Sequence, residues 1–570
     1  MNVLGIWDGH DSGAALLKGD HIIFAANEER FTRNKLEVEF PSNSIREALK
    51  FAKLKPDHIE IVAISTSDFS KTLTRVFPAL KRKYYLIRRR KVEPSAFNRF
   101  SKKAKYVLTE IGPSSLTRRI SGMIVRNCLE KIGFRRYRLI WVDHHLAHVA
   151  SAVCTSPYEE GLVLSLDGIG DGLSGMIGIF DGGRISILSK FKGRDSLGIF
   201  FEHVTNLLNM RELEDEGKVM ALASFGYPIP DDQNPLLQLF SVDGVKIKAK
   251  YHATGLYRKL QRILYLYPAE QFAYMAQRVL EVCIVKLVEN AVGLTGKNCL
   301  AYAGGVASNI KVNMLLKNHK DVAGLHVFPH MDDGGLALGA ALYDNLTVNG
   351  VPRCRLENLF LGPSYTISEI EQVLSAFPAV RYQRFPAIEE KVVQLVKEGH
   401  IVLWFQGRME YGPRALGDRS ILALPSSISI KNKLNIYLKK RVWYQPFCPT
   451  MLSDAAAEIL EDYNGTDNLF MTVGYQTKEK YADKMIAVIN ADNSCRPQIL
   501  SEGGPQYGRY LAFLKKMREL TGRGVVLNTS FNKHGESIIN NPKEALELLT
   551  NSRFEYLVLE DYLVWKEQNT

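Results

Sequence analysis

His144 and His148 stand four residues apart in the run Asp143-His144-His145-Leu146-Ala147-His148. On a helix both project from one face, one turn apart, at a spacing that can grip a single metal ion. His145 falls about a third of a turn away and is not expected to share that ion. The fuller zinc-protease pattern is absent, because His145 stands where a glutamate base would be. A plain hydrogen-bonded helix face is the competing reading of the pair. The run Asp332-Asp333-Gly334-Gly335 places carboxylates at the start of a small-residue helix from Leu336 to Tyr343. A carboxylate there suits a third ligand, although N-capping alone also explains it.

The elements that must hold these groups can be read on either side. Arg138 to Val142 is apolar enough for a buried strand, and Val149 to Cys154 has the small residues of a packed helix. Asp143 falls at the N-cap, with its carboxylate expected to accept from the first helical amides. Upstream, the strand Asn2 to Trp7 ends in Asp8-Gly9-His10-Asp11-Ser12-Gly13, followed by a strand, a turn at Lys18-Gly19-Asp20 and a third strand from His21 to Ala26. The layout recurs: Gly161 to Leu166, then Asp167-Gly168-Ile169-Gly170-Asp171-Gly172, a strand to Phe180, a turn at Asp181-Gly182-Gly183 and the strand Ile185 to Leu188. Two copies of strand, Asp-Gly loop, strand, turn, strand predict an internal repeat. Each copy has a glycine loop able to approach a phosphate. This layout resembles the fold of actin, the sugar kinases and the Hsp70 ATPase.

Other stretches carry candidate contacts. In Glu214-Asp215-Glu216-Gly217-Lys218 an acidic turn opens an apolar helix, which either sets Lys218 against a phosphate or simply starts the helix. A strand from Leu300 ends in Gly304-Gly305 ahead of Asn309, where backbone amides can approach a nucleotide. Val348 to Pro352 and Leu361-Gly362-Pro363 mark a linker between a domain of residues 1–350 and one of 351–570. In the second, the strand Ile401 to Phe405 leads into a loop carrying Arg408, Arg414 and Arg419 among glycines, a composition suited to a phosphate or small planar anion. Lys439, Lys440, Arg441 and Arg496 add charge, and Asn528 to Asn532 reads as a polar loop after the strand Gly524 to Leu527.

Bulk properties narrow the class. With 570 residues, 46% apolar and 24% charged, the chain is too long for one core and ordinary for a soluble protein. No apolar run is long enough to span a bilayer, and the first residues form no signal-peptide core. Seven scattered cysteines without a CxxC pair read as reduced thiols of the cytoplasm. The net charge of +12 calls for an anionic partner. Much of the surplus lies in residues 81–136, interleaved with Tyr84, Tyr85 and Phe97, where a solvated helical face competes with a site for an anionic acceptor, membrane surface or nucleic acid.

Taken in order, these motifs resemble the NodU/CmcH family of O-carbamoyltransferases over nearly the whole chain. The matching stretches are Gly9-His10-Asp11-Ser12, Glu28-Glu29-Arg30-Phe31-Thr32-Arg33, the His144/His148 segment, Glu216-Gly217-Lys218-Val219-Met220 and Gly304-Gly305-Val306-Ala307-Ser308-Asn309. In the second domain they are Gly412-Pro413-Arg414-Ala415-Leu416-Gly417, Arg419-Ser420 and Asn528 to Asn532. The resemblance implies an α/β protein: an N-terminal ASKHA domain (duplicated, actin/Hsp70/sugar-kinase-like) and a C-terminal YrdC-like domain.

It also implies use of carbamoyl phosphate and ATP, passage through carbamoyl-adenylate with release of pyrophosphate, and transfer to a hydroxyl of a small-molecule or sugar acceptor. Carried over by motif, His144, His148 and Asp333 are the implied ligands of a divalent metal, iron(II) in this family. Asp333 is preferred to Asp332 because the family pattern Asp-x-Gly-x-Ala-x-Gly matches Asp333, Gly335, Ala337 and Gly339. Asp167, Gly168, Lys218, Gly304, Gly305 and Asn309 are implied to hold the nucleotide, with Mg2+ accompanying ATP. His10, Asp8 and Arg414 carry the implied catalytic roles. Lys439, Arg441, Arg496, Asn528 and Ser530 are implied to bind carbamoyl phosphate.

Gln445 stands where the family has an anion-binding arginine, Val442 replaces a glutamate, and Ser537 replaces a proline. Nucleic acid is not the expected partner, and peripheral membrane contact stays open. Two other readings stand beside this one, an actin-like sugar kinase or ATPase and a basic nucleotide sensor that binds nucleic acid.

Overall fold

Strand β1 (Asn2–Trp7) passes through the first Asp-Gly loop into β2 (Gly13–Lys18) and, after a turn at Gly19, into β3 (His21–Asn27), each pairing antiparallel with the one before. β4 (Ile61–Ser65) and β5 (Arg138–Val142) then add in parallel on the other side of β1, giving the order β3-β2-β1-β4-β5. The next three strands repeat the plan. β6 (Glu160–Gly170), β7 (Leu173–Asp181) and β8 (Arg184–Lys192) form an antiparallel set. A separate hairpin follows, β9 (Phe240–Asp243) with β10 (Lys246–Ala249). β11 (Cys299–Ala303) and β12 (Gly324–Val327) then extend β6 in parallel, giving β12-β11-β6-β7-β8. The same order and strand sense occur twice in one chain, which is the duplicated ASKHA plan the Asp-Gly repeat predicted.

This computed structural model describes residues 1–94, 108–349, 353–354, 356–503 and 507–567. They fall into two compact units, Met1–Glu28 with Leu36–Arg355, and Glu29–Lys35 with Leu356–Thr570. The predicted division into 1–350 and 351–570 lacks the excursion of residues 29–35. Arg30 anchors that segment within the second unit by donating to the Gly412 carbonyl at 2.6 Å and the Ser537 hydroxyl at 3.2 Å.

In the first unit, helix His144–Thr155 follows β5 and helix Leu336–Asn349 packs against it. A Cβ on Gly339 would lie 2.2 Å from the Ala147 carbonyl oxygen, so the two helices meet backbone to backbone only because glycine stands there. The long helix Ala269–Thr295 buries Phe272, Ala276, Val279, Cys283 and Leu287 at spacings of three and four. Each large apolar side chain in that stripe contributes about 1.5–3 kcal/mol.

The second unit is built on a mixed sheet of eight strands. In chain order they are β13 (Val380–Arg384), β14 (Val402–Phe405), β15 (Arg419–Ala423) and β16 (Cys448–Leu452). A small pair follows, β17 (Tyr475–Gln476) with β18 (Ser494–Cys495), and then β19 (Gln498–Leu500), β20 (Val525–Ser530), β21 (Tyr556–Leu559) and β22 (Tyr562–Lys566). The large sheet runs β13-β22-β21-β14-β15-β20-β16-β19. One expectation changes here. Asn528, Thr529 and Ser530 were read as loop, but they complete β20, where Asn528 pairs with Leu422 on one side and Cys448 on the other.

Candidate active site

The helix after β5 starts as the sequence suggested, but its capping group differs. Asp143 is the N-cap residue and makes no side-chain cap; its carboxylate lies 3.8 Å from Arg118. The His144 amide instead donates at 2.6 Å to Asp171, from the second Asp-Gly loop. Gly170 beside it has no room for a Cβ, which would come within 2.3 Å of the His144 ring. Loop and helix are therefore fitted to each other. His145 turns away to Ser165 and the Leu173 carbonyl, both at 3.0 Å.

His144 and His148 each present Nε2 to Asp167 Oδ2 at 3.1 Å and to Asp333 Oδ1 at 3.5 Å. All four ligand-type atoms lie within 4.8 Å of one another. Asp332 does the capping, accepting from the Gly334 amide at 3.2 Å, and this leaves Asp333 for the histidines. Asp333 Oδ1 is buried with no hydrogen-bond partner. An orphaned carboxylate oxygen beside two imidazole nitrogens fits a bound cation. Two imidazoles with carboxylates suit a borderline metal such as iron or zinc better than magnesium.

Burial lifts the Asp333 carboxyl well above the usual carboxylate range; His144 pulls against it and Asp167 adds to it. Burial also works to raise Asp167, but hydrogen bonds from His144 and His148 outweigh it and hold Asp167 well below that range. The sequence assigned Asp167 to the nucleotide, and its place among the metal-type ligands was missed. Its Oδ1 does accept from the Gly168 and Gly305 amides, at 2.7 and 3.2 Å. The Gly304 backbone at φ 94° permits that approach, since a Cβ there would meet the Leu166 carbonyl oxygen at 2.2 Å.

His10 reaches the same centre from the first Asp-Gly loop, its Nδ1 3.4 Å from Asp333 Oδ2. Burial first and the Arg88 guanidinium second push its pKa down to about 3, so it is a neutral imidazole near pH 7. Trp7 donates to the His10 carbonyl at 2.8 Å and packs edge-on against His144, while Tyr85 lies against the His10 ring at 5.2 Å.

Asp8 does not share this position. Arg75 holds both its oxygens at 2.8 and 2.9 Å, Lys71 approaches to 3.1 Å, and it does not line the cavity. Burial opposes its charge, but Arg75 and Lys71 overcome that and hold its carboxyl far below the ordinary value. It anchors the loop that carries His10, which corrects its assignment to catalysis.

A cavity of about 170 Å³ opens beside the cluster, and His10, Asp11, Asp167, Gly168, Gly305, Asp333, Glu202, Glu216 and Met220 are among the residues that line it. Two residues expected from sequence to touch the nucleotide have protein partners here. Lys218 is paired with Asp215 at 2.7 Å and is not among the lining residues. Asn309 lines the cavity, but its side chain caps the next helix and exchanges hydrogen bonds with Gln277.

Glu216, accepting from the Leu213 amide, was not singled out as a site group. Burial and the neighbouring Glu202 push its pKa up to about 8. A carboxyl raised above its unfolded value keeps an extra proton in the folded state. Its stabilising contribution is therefore complete below the unfolded carboxylate pKa and disappears as pH rises to about 8. Thermal melts should show stability falling with pH across that window, by at most about 1.4 kcal/mol per pH unit. The slope should be smaller in Glu216→Gln, and an unchanged slope would place the titration elsewhere.

In the second unit, the Glu410 carboxylate orders loop 412–417 by accepting from the Leu416, Asp418 and Arg419 amides, each at 2.9 Å. Of the three loop arginines, two are spent on backbone. Arg408 donates to the Gly362 and Leu361 carbonyls. Arg419 is buried over the Phe405 ring and donates to the Gln406, Gly407 and Asp418 carbonyls. Half-buried Arg414 keeps the candidate role.

Among the described residues, the Lys439 ammonium contacts neutral acceptors, those of Ser530 and Asn532. Burial, then Arg441 and Lys35, depress its pKa well below the lysine range. Burial lowers Arg441 to about 10, with Arg496 adding to the effect. Arg496 itself donates to Cys448 Sγ at 3.0 and 3.3 Å. Lys439 is buried and Arg441 and Arg496 are half-buried, and a cluster of such groups with no carboxylate bridge among the described residues is suited to an anion. Asn528 stands behind it, donating to the Ala415 carbonyl and to Thr450 Oγ1, so its amide holds loop 412–417.

The basic stretch is neither a solvated face throughout nor a continuous patch. Lys81 donates to the Asp8 and Val38 carbonyls, Arg88 pairs with Glu202 and Glu212, and Arg89 pairs with Glu214. Phe97, Lys102 and Lys103 lie outside the described residues.

Residues 2–342 match the family model described as Carbamoyltransferase N-terminus, and residues 393–566 match Carbamoyltransferase C-terminus. A Methanocaldococcus jannaschii protein, Uncharacterized protein MJ1051, is 31% identical over 585 aligned residues, 99% of each chain. Nodulation protein NolNO of Sinorhizobium fredii is 29% identical, across 98% of this chain and 79% of its own. Nodulation protein NolO of Bradyrhizobium diazoefficiens is 32% identical, across 75% of this chain and 79% of its own. Among solved structures, HypF from T. kodakarensis aligns at 13% identity over 61% of this chain and 48% of its own with a TM-score of 0.36, too low to carry weight.

Proposed function

The chain belongs to the carbamoyltransferase family, and on that premise we propose that it is an ATP-dependent O-carbamoyltransferase working through carbamoyl-adenylate. The observation that carries this reading is the convergence of His144 and His148 on Asp167 and Asp333, two carboxylates that line a glycine-containing cavity together with His10. The family models cover residues of both units, which a sugar kinase using only the first half does not explain.

In this reading Lys439, Arg441, Arg496 and Arg414 bind carbamoyl phosphate. Water then cleaves it to carbamate and phosphate, and the cations neutralise the phosphate that leaves. A carbamate oxygen attacks the α-phosphorus of ATP, brought in with Mg2+, and pyrophosphate leaves. The acceptor hydroxyl attacks the carbamoyl carbon, its C–O bond to AMP breaks, and His10, neutral as it stands, takes the hydroxyl proton. Enclosure protects carbamate and its adenylate from water.

His144, His148 and Asp333 would hold a divalent metal, iron(II) in this reading, with Asp167 beside it. When bound it supplies a Lewis acid for nucleotide phosphate or the transferred group. The acceptor is a hydroxyl-bearing sugar or small molecule, and the use of ATP together with unpaired cysteines fits the cytoplasm.

The nucleotide products separate this reading from a kinase. AMP and pyrophosphate should form only when carbamoyl phosphate is present. ADP formed without it would remove the adenylate from the account.

A further inference from the structure

Helices Phe69–Val76 and Pro78–Arg88 follow each other with only Phe77 between them. Their inner faces are fixed by the contacts they make. Lys71 and Arg75 hold Asp8, Thr72 meets Ser121 of helix Ser115–Ile132 at 2.8 Å, and Lys81 and Arg88 reach inward as described. Phe69, Leu73 and Val76, at spacings of four and three, are consequently left in solvent, and Phe77 and Leu80 continue the ridge at 50% and 61% exposure. Helix Ser115–Ile132 turns Thr117, Ser121 and Val125 inward and leaves Leu116 and Met123, seven residues apart, at 65% and 60% exposure. So many large apolar side chains left in water on adjoining helices mark an interaction surface.

The charge within these stretches is of one sign, although Asp143 lies 3.8 Å from Arg118. Arg82, Lys83 and Arg119 are exposed, and residues 69–92 and 115–129 contain no aspartate or glutamate. We propose that this face docks peripherally on an anionic lipid bilayer. Leucine and phenylalanine would enter the headgroup boundary while the cations stay at the level of the lipid phosphates. A second copy would bring two cationic rims together. Nucleic acid would satisfy the cations but leave the apolar ridge in water. None of the described helices is long and apolar enough to cross a membrane, so the contact lies at the surface. The inference is independent of the reaction assigned above.

Co-sedimentation of the full chain with phosphatidylcholine vesicles, with and without phosphatidylglycerol, tests it. The anionic vesicles should pellet at least about tenfold more protein, and added salt should reduce the difference. Phe77→Glu/Leu80→Glu should bring pelleting down to the level of neutral vesicles, and Arg82→Gln/Lys83→Gln should remove the preference for phosphatidylglycerol. Circular dichroism and donor-dependent pyrophosphate formation should stay at wild-type levels in both variants. Equal pelleting on the two vesicle types would overturn the proposal, as would wild-type pelleting by a folded Phe77→Glu/Leu80→Glu variant. A dimer lost in that variant would instead assign the ridge to a second copy, and retention of RNA without lipid preference would assign it to nucleic acid.

Discussion

Replacing His148 with glutamine should lower carbamoyl transfer by at least about a hundredfold, since a lost Lewis acid is worth several kcal/mol at the transition state. Donor-dependent pyrophosphate formation should persist in the same variant. His148 Nε2 stands 3.1 Å from Asp167 and 3.5 Å from Asp333, in the first unit. Carbamoyl phosphate, on this account, is taken by the cations of the second. A glutamine amide can still donate to Asp167, so the variant should fold. It cannot complete a metal site that needs two imidazoles. The combination of pyrophosphate without transfer is specific: a misfolded chain would lose both, and a spectator histidine would cost neither. His144→Gln should behave the same way, because its contacts with the two carboxylates are the same.

Arg441→Met should give the opposite pattern, with pyrophosphate formation and transfer falling together. Burial holds Arg441 down to about 10, with Arg496 adding to the effect. The free protein therefore carries partly desolvated positive charge at a cost, which a bound anion would relieve. Inorganic phosphate should raise the wild-type melting temperature, since a ligand at a hundred times its Kd adds about 2.7 kcal/mol of stability. The variant should melt no lower than wild type without phosphate and show little shift with it. Loss of one charge-assisted hydrogen bond, about 1.5–3 kcal/mol, should reduce kcat/KM for carbamoyl phosphate roughly 10- to 150-fold. A variant that responds to phosphate like wild type would move the anion site away from Arg441.

The duplicated fold was legible because its signals are local: an apolar run, an Asp-Gly loop, a second run and a tight turn, twice. The helical spacing of His144 and His148 was legible for the same reason. What stayed hidden depends on distant partners. Asp167 looked like one more phosphate-loop carboxylate; the pairing of β6 with β11 sets it against the Gly305 amide, and the packing of helix His144–Thr155 on β6 sets it against both histidines. Asp171 displaced Asp143 as the group that meets the His144 amide, across 27 residues of sequence. Arg88 and Arg89 looked available, yet their acids lie 114 to 125 residues downstream. Arg419 shares the glycine-rich composition that marked the anion loop, but burial over Phe405 commits it to backbone carbonyls. Residue type suggested the chemistry, while burial and partner decided which of the like residues were committed elsewhere.

The central claim is that His144, His148 and Asp333 hold a metal on which carbamoyl transfer depends, and metal content read beside activity tests it most directly. Protein purified without oxygen should carry about one equivalent of iron per chain. His144→Gln/His148→Gln should carry less than about a tenth of that. Transfer should disappear on chelation of the wild type and return with iron(II). Full transfer by chelated wild-type protein with no metal bound would contradict the account.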